Sequence, residues 1–362
     1  MSKKEQELLL REVLSTQATS YEYQETAEYL VYKAFDLGAD DVDIDEHDNI
    51  YITKGKADAY PCVVAHTDTV HDLYKDYKIH KIKAKGKDVF LAYDHDTMKQ
   101  VGTGGDDKVG LWVCLEMLKM FDNIKIAFFS QEEIGCVGSS QARKSFFDDV
   151  GYVFECDRKG NSDFVQTSSG VKMFGDEFKK LIKPTLESHG YSITDGGLTD
   201  VHEIAQIANI CCANMSCGYY QPHTKQEYVI IDDAINTRNL VEALIRSLGE
   251  TRHEHQAEDN YSYYGGWGHY NYTGYGFKAS SSYKPTKKKS VKINSSGGCD
   301  VCGSLTTDGC DFCYKDYQPI NALKVKDVEL CSCGGELKEY GHGYDRYKHC
   351  RDCGFYSEVN MF

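Results

Sequence analysis

Three short, nearly continuous apolar runs each lead into a residue type that binds metal. Cys62–Ala65 runs into His66, Ile124–Phe129 is followed by Glu132 and Glu133, and Tyr152–Phe154 is followed by Asp157. A run that is apolar at consecutive positions, instead of alternating, reads as a strand buried on both faces, as in a parallel sheet covered by helices. The stretch Leu111–Met120 reads as a helix between the first two runs, and Ile210–Met215 as a fourth buried strand. Strands alternating with helices imply an α/β class, with a mixed, largely parallel sheet sandwiched by helices. In such sheets ligands bind beyond the carboxyl ends of the strands. His66, Glu132, Glu133 and Asp157 then mark one edge of one sheet.

The rest of the first 250 residues fits this frame. Leu8, Leu9, Val13 and Leu14 predict a first helix, and Tyr23, Ala27, Leu30, Val31 and Ala34 a second, stopped at Gly38. Short strands are expected at Val42–Ile44 and Ile50–Thr53. Asp232 is placed to cap a last helix through Leu248, ended by Gly249. Asp94-His95-Asp96 and His71-Asp72 read as polar loops. From about His253 the periodicity stops, and the Tyr/Gly-rich stretch to Gly298 reads as a flexible linker. The expected organisation is a catalytic domain over 1–251, a linker over 252–298 and a cysteine-rich domain over 299–362.

Composition narrows the function classes. The net charge of −15 disfavours general affinity for nucleic acid or an anionic membrane. No apolar run approaches the ~20 residues that span a bilayer. The N-terminal residues lead into an amphipathic helix, not a signal-peptide core. With 15 cysteines and no export signal, a cytoplasmic chain with reduced thiols is expected. Cys136 and Cys156 read as filler near the site, not as nucleophiles.

A dinuclear site needs a carboxylate between two ions and terminal ligands on each. Asp106 is the candidate bridge. His66 and Asp157 complete one set, and Glu133 and His223 the other, so each ion has three protein ligands and room for water. Two ions ~3.5–4 Å apart lower the pKa of a shared water and polarise a carbonyl oxygen. Glu132 sits beside a ligand without being one, and is the candidate general base. Asp68 is placed to accept the second imidazole N–H of His66 and fix its tautomer. Zinc is the expected metal, and Mn or Co also suit mixed His/carboxylate sites.

His66-x-Asp68, Gly105-Asp106-Asp107-Lys108-x-Gly110, Glu132-Glu133-Ile134-Gly135, Asp157 and His223 resemble the co-catalytic zinc exopeptidase clan. That clan includes peptidase T-like tripeptidases, carboxypeptidase and aminoacylase relatives and leucyl-type aminopeptidases. The resemblance covers about Glu5 to Gly249, and Asp-Asp-Lys and Glu-Glu-Ile-Gly look closest to the tripeptidase branch. It implies that Asp106 bridges the metals and that the Asp106–Asp107 peptide is cis. Leu198-Thr199-Asp200 looks like the Gly-Thr-Asp segment of that clan, where Asp200 either caps the following helix or meets substrate. One departure is size. Only 65 residues separate Asp157 from His223, and 37 separate Asp68 from Asp106, so no inserted lid domain is expected.

The last segment carries Cys299-x-x-Cys302 with Cys310-x-x-Cys313, and Cys331-x-Cys333 with Cys350-x-x-Cys353. The second set resembles a zinc ribbon, and the first has the same knuckle spacing with a shorter interval. Two structural zincs would fold a segment too small to build its own core. This tail is near neutral, with 12 Lys+Arg against 11 Asp+Glu from Ala279 onward, which favours a protein partner over nucleic acid. The sequence as a whole predicts a metallopeptidase of the exopeptidase type acting on short peptides. Its alternatives are an amidohydrolase of N-acyl amino acids and a zinc-ribbon interaction protein with an inactive hydrolase core.

Overall fold

A computed structural model describes residues 2–257 in full, and the backbone of 258–259, 291–294, 329–330, 336–340, 347–350 and 356–358. The chain divides into two compact units, Met1–Ser304 and Leu305–Phe362.

The first unit opens with α1 (Lys3–Leu14), α2 (Gln24–Asp36), β1 (Asp41–Ile44), β2 (Ile50–Lys54) and β3 (Tyr60–His66). Then come β4 (Tyr77–Ala84), β5 (Lys87–Asp94), β6 (Lys99–Val101), α3 (Gly105–Met120), β7 (Ile124–Phe129) and β8 (Val150–Arg158). β9 (Asp163–Ser168), β10 (Val171–Lys172), α4 (Asp176–Ser188), β11 (Ser192–Gly196), α5 (Asp200–Ala208) and β12 (Cys211–Ser216) follow. The described part of the unit ends with β13 (Tyr219–Tyr220), β14 (Tyr228–Ile230), α6 (Ile231–Leu248), β15 (Glu258–Asp259) and β16 (Val291–Asn294).

The main sheet runs β15-β10-β9-β12-β8-β3-β7-β2-β1-β16, with β11 against β9. Its centre, β12-β8-β3-β7, is parallel throughout, and most of the flanking pairs are antiparallel. Side chains of β3 alternate between two cores, as a period of two requires. Val63 and Ala65 join α3 residues such as Val113 in the larger core, whereas Cys62 and Val64 join Val201, Ile204 and Ala205 of α5 in the smaller. This is why Cys62–Ala65 is apolar at every position. Register then aligns the strand ends: His66 lies opposite Phe129, and Val64 opposite Glu155.

Helix α1 starts in a capping box. The Ser2 hydroxyl accepts from the Glu5 N–H, and the Ser2 N–H donates to the Glu5 carboxylate at 2.7 Å. Asp232 does not cap the last helix. Ile230 holds that position, Asp232 lies in the first turn, and Gly249 ends the helix as expected. Asp200 likewise lies inside α5, whose N-cap is Thr199.

A second sheet, β13-β14-β5-β4 with β6 on β5, was not foreseen. It is built from the stretch between Asp68 and Asp106 together with the stretch around His223. Asp94 ends β5 and is not in a loop, and His95 just beyond it stacks on His80 at 4.9 Å. Neither interval expected to lack a lid forms a separate domain, since both lie within the first compact unit. Within 252–298, β15 pairs with β10 and β16 with β1. In the second unit β17 (Glu329–Leu330), β18 (Glu336–Tyr340), β19 (Tyr347–Cys350) and β20 (Tyr356–Glu358) form an antiparallel meander. Seven of the eight tail cysteines, Cys299, Cys302, Cys310, Cys313, Cys331, Cys333 and Cys353, lie outside the described residues, and Cys350 is described in backbone only. No helix among the described residues is long and apolar enough to cross a membrane.

Candidate metal centre

The main sheet delivers four of the side chains singled out in the sequence. His66 is the last residue of β3, and Asp157 is the penultimate residue of β8. Glu132 and Glu133 follow β7 in a tight turn where Gln131 takes a left-handed φ of 57°. The second sheet delivers His223, in the connection between β13 and β14, with a φ of 60°. Asp106 comes from the entrance of α3, where Asp106 and Asp107 depart from helical angles and are joined by a cis peptide bond.

These residues converge into two triads that share one carboxylate. Donor atoms of His66, Asp106 and Asp157 lie within 4.8 Å of one another, as do those of Asp106, Glu133 and His223. Asp106 divides its oxygens between them. Its Oδ1 is 3.3 Å from His66 Nε2, and its Oδ2 is 3.2 Å from His223 Nε2. His66 Nε2 is also 3.7 Å from Asp157 Oδ1, and His223 Nε2 is 3.1 Å from Glu133 Oε2. The set fits a pair of divalent cations. Mixed imidazole and carboxylate donors suit such ions, and Glu133 Oε1 is buried with no hydrogen-bond partner among the described residues. Without ions, the imidazoles supply the positive charge. Burial opposes charge on His66, but hydrogen bonds to Asp106, Asp157 and Asp68 hold its pKa well above the usual range. Hydrogen bonds to Asp106 and Glu133 raise His223 to about 10.

Asp68 does more than orient His66. His66 Nδ1 donates to the Asp68 main-chain carbonyl at 3.0 Å, and the Asp68 carboxylate is farther, at 3.4 Å. That carboxylate accepts from Ser20 Oγ at 2.6 Å, from the Glu132 N–H at 2.9 Å and from the Glu133 N–H at 3.3 Å. It therefore ties the first imidazole to the turn that carries Glu132. Glu132 belongs to neither triad, and its Oε2 lies 3.9 Å from His66 Nε2. Burial, opposed by His66 and reinforced by the charges of Asp200, Glu133 and Asp106, pushes Glu132 up to about 7. That is the range in which a carboxylate both takes and returns a proton at neutral pH.

Several supporting residues were missed in the sequence. Asn214 clamps the backbone of Asp157 on both sides: its Oδ1 accepts from the Asp157 N–H at 2.9 Å, and its Nδ2 donates to the Asp157 carbonyl at 2.7 Å. The signal was available, since Asn214 is the amide inside the otherwise apolar run Cys211–Met215. The Tyr219 hydroxyl donates to Asp157 Oδ1 at 3.0 Å. The Asp107 carboxylate accepts from the His66 N–H at 3.3 Å and the Gly110 N–H at 3.0 Å. A Cβ at Gly110 would lie 2.4 Å from that carboxylate, which accounts for the glycine. Lys108 does not reach the two triads. Its ammonium donates to the carbonyls of Leu14, Thr16 and Thr103, closing the end of α1. Cys136 and Cys156 are buried, with thiol pKa values raised chiefly by burial.

Glu227 had no sequence signal beyond its distance of four residues from His223. It is fully buried, and accepts from the Gly104 N–H at 2.7 Å, the Asp106 N–H at 3.1 Å and His71 Nε2 at 2.6 Å. It thus joins the His223 connection to the turn that presents Asp106. Glu227→Ala should destabilise the fold by roughly 1–3 kcal/mol for each buried donor left unpaired. It should also weaken metal binding by about 10–100-fold, the usual cost of losing an outer partner. Denaturant unfolding and metal competition read the two effects separately, and unchanged metal affinity would remove Glu227 from the site.

No protein-family model and no curated protein matches this sequence. Solved structures do match in fold. Aminopeptidase PepT from Bacillus cereus superposes with a TM-score of 0.54 at 17% identity, over 67% of this chain and 98% of that one. The chain shares the fold of this aminopeptidase structure. A tripeptidase from Staphylococcus aureus gives a TM-score of 0.52 at 14% identity, over 68% of this chain and 99% of that one. A TET aminopeptidase from a marine-sediment Thaumarchaeota archaeon gives 0.52 at 12% identity, over 67% and 96%. At these identities the likeness concerns architecture: a mixed sheet, parallel at its centre, with helices on both faces.

Proposed function

We propose that the chain is a two-metal hydrolase of the exopeptidase type that removes residues from short peptides, with zinc as the first choice of ion. The observation that carries this reading is the division of the Asp106 oxygens between two triads. His66, Asp106 and Asp157 would hold one ion, and Asp106, Glu133 and His223 the other. Bound there, two divalent ions supply Lewis acidity, lowering the pKa of a water and polarising the scissile carbonyl. The chain's own residues do the rest. Glu132 takes the proton from the attacking water and returns it to the leaving amine. Asp68 holds the His66 imidazole and the Glu132 backbone in fixed relation, and Asn214 and Tyr219 fix Asp157. The similar structures, an aminopeptidase and a tripeptidase, support a peptide substrate.

The proposal extends to the tail and to the cellular setting. Cys299, Cys302, Cys310 and Cys313 would hold one structural zinc, and Cys331, Cys333, Cys350 and Cys353 another. The pairings Leu330↔Glu336 and His349↔Tyr356 support the second set, since the connections between those strands contain Cys331, Cys333 and Cys353. The tail would serve as a docking module for a protein partner. Seven buried cysteines without disulfides suit a reducing, cytoplasmic setting.

The test is a substrate panel on the full chain loaded with Zn, Mn or Co. Dipeptides and tripeptides with a free amine should be hydrolysed, and activity should vanish with a chelator and return with metal. Preference for N-acyl amino acids would replace the peptidase by an amidohydrolase. A metal-loaded chain inert to every member would point to an interaction protein with a silent core.

A further inference from the structure

A cleft of about 260 Å³ opens beside the metal ligand Asp157, between the end of β8 and the connection that carries His223. Its walls include Arg158, Lys159, Val165, Leu198 and Pro222. The chain carries −15, and the neighbouring metal centre is built from carboxylates, yet the two residues directly after Asp157 are both cationic.

Both cations have fixed backbones, and neither side chain has all of its donors engaged. The Arg158 carbonyl accepts from the Cys217 N–H at 2.9 Å, and the Lys159 carbonyl from Ser216 Oγ at 2.9 Å. The Arg158 side chain is anchored by one edge only, with Nε donating to Asp163 Oδ2 at 2.8 Å. Its terminal nitrogens make no hydrogen bond among the described residues, and Lys159 is exposed and makes no ion pair among them. Gly196 keeps the guanidinium open, because a Cβ there would lie 3.1 Å from Nη1. A Cβ at the neighbouring Gly197 would meet nothing within 4 Å. Val165 and the half-exposed Leu198 supply an apolar surface for a short aliphatic stem. A cleft of this size, below the usual range for drug-sized ligands, suits one or two amino-acid residues more than an extended polypeptide.

We propose that this cleft is a substrate subsite for a carboxylate, held by Arg158 and Lys159 next to the metal centre. The inference rests on the hydrolase reading and narrows its substrate class to small peptides or amides that carry an anionic group. The carboxylate comes either from the C-terminus of a dipeptide or from an acidic side chain. A guanidinium edge and an ammonium favour a carboxylate over its neutral amide through charge-assisted hydrogen bonds.

Two pairs of substrates distinguish the sources on the zinc-loaded full chain. Ala-Ala against Ala-Ala-amide reads the terminal carboxylate, and Glu-p-nitroanilide against Gln-p-nitroanilide reads the acidic side chain. The charged member of one pair should have a kcat/KM about 10–100-fold higher, the size of one charged hydrogen bond. Lys159→Met, at an exposed position, and Arg158→Met should each shrink that ratio toward one. Calorimetric binding of the same four compounds to the Glu132→Gln chain reads the preference without turnover. A chain that hydrolyses nothing but still prefers the charged member in binding overturns the hydrolase reading alone. Equal handling of both members in both pairs, or a ratio untouched by both substitutions, overturns the carboxylate subsite.

Discussion

A Glu132→Gln chain should turn over about 10²–10⁴-fold more slowly than wild type, the usual worth of a positioned general base, while keeping its full metal content. The swap is close to isosteric, and the main-chain hold on this residue, the Glu132 N–H on Asp68 at 2.9 Å, does not involve the carboxylate. The side chain is only 15% exposed, so the amide stays where the carboxylate was. Its one side-chain hydrogen bond among the described residues, from Cys136 Sγ at 3.4 Å, goes to Oε1 and leaves Oε2 facing His66. Because Glu132 belongs to neither triad, both metals should remain. The loss should appear in kcat with KM little changed, because a proton transfer is made only in the transition state. Metal analysis alongside steady-state kinetics decides the matter. A variant that keeps wild-type turnover shows that the base is elsewhere, and one that loses an ion shows that Glu132 is a ligand.

The half of the site built on the main sheet was legible because burial leaves a strong trace. A strand that feeds two cores must be apolar at every position, as in Cys62–Ala65, so the polar residue that ends it stands out. The half built on the second sheet was not. Strands β4 and β5 are covered mainly on one face, with Ile79, Phe90 and Ala92 buried there among lysines and aspartates, and such a pattern resembles a polar loop. The local cue was the two-residue turn Lys85-Gly86, with φ values of 49° and 81°, between the paired residues Ala84 and Lys87. That geometry belongs to a tight hairpin, but lysine at its first position carries a weaker signal than asparagine or aspartate. Missing that sheet also hid Glu227 and the way His223 is presented. The candidate ligands could be read from residue types, whereas the network that holds these side chains depends on contacts between residues more than a hundred positions apart, such as Glu227 with Gly104.

Asp106→Ala and His223→Ala should differ in how many ions they cost. Asp106 contributes one oxygen to each triad, so its removal leaves two protein donors for each ion, His66 with Asp157 and Glu133 with His223. His223 serves one triad only, and its loss leaves the three donors of the other intact. Relative to the wild-type full chain, Asp106→Ala should therefore lose two equivalents of metal and His223→Ala one, with the affinity loss in each affected triad exceeding the about 10–100-fold that an altered outer partner costs. Both variants should lose turnover, because the proposed chemistry needs both ions. Folding offers little escape from this test. The His223 side chain is 54% exposed, so its truncation opens no core cavity. Asp106→Ala removes a carboxylate that crowds Asp157, whose own acid is pushed up to about 8 by burial and by the Asp106 charge. Thermal melts of the metal-free proteins would confirm that each variant is folded before its metal is counted. Loss of a single equivalent from Asp106→Ala would mean that the shared carboxylate serves one ion, and the two-metal reading would give way to a mononuclear one.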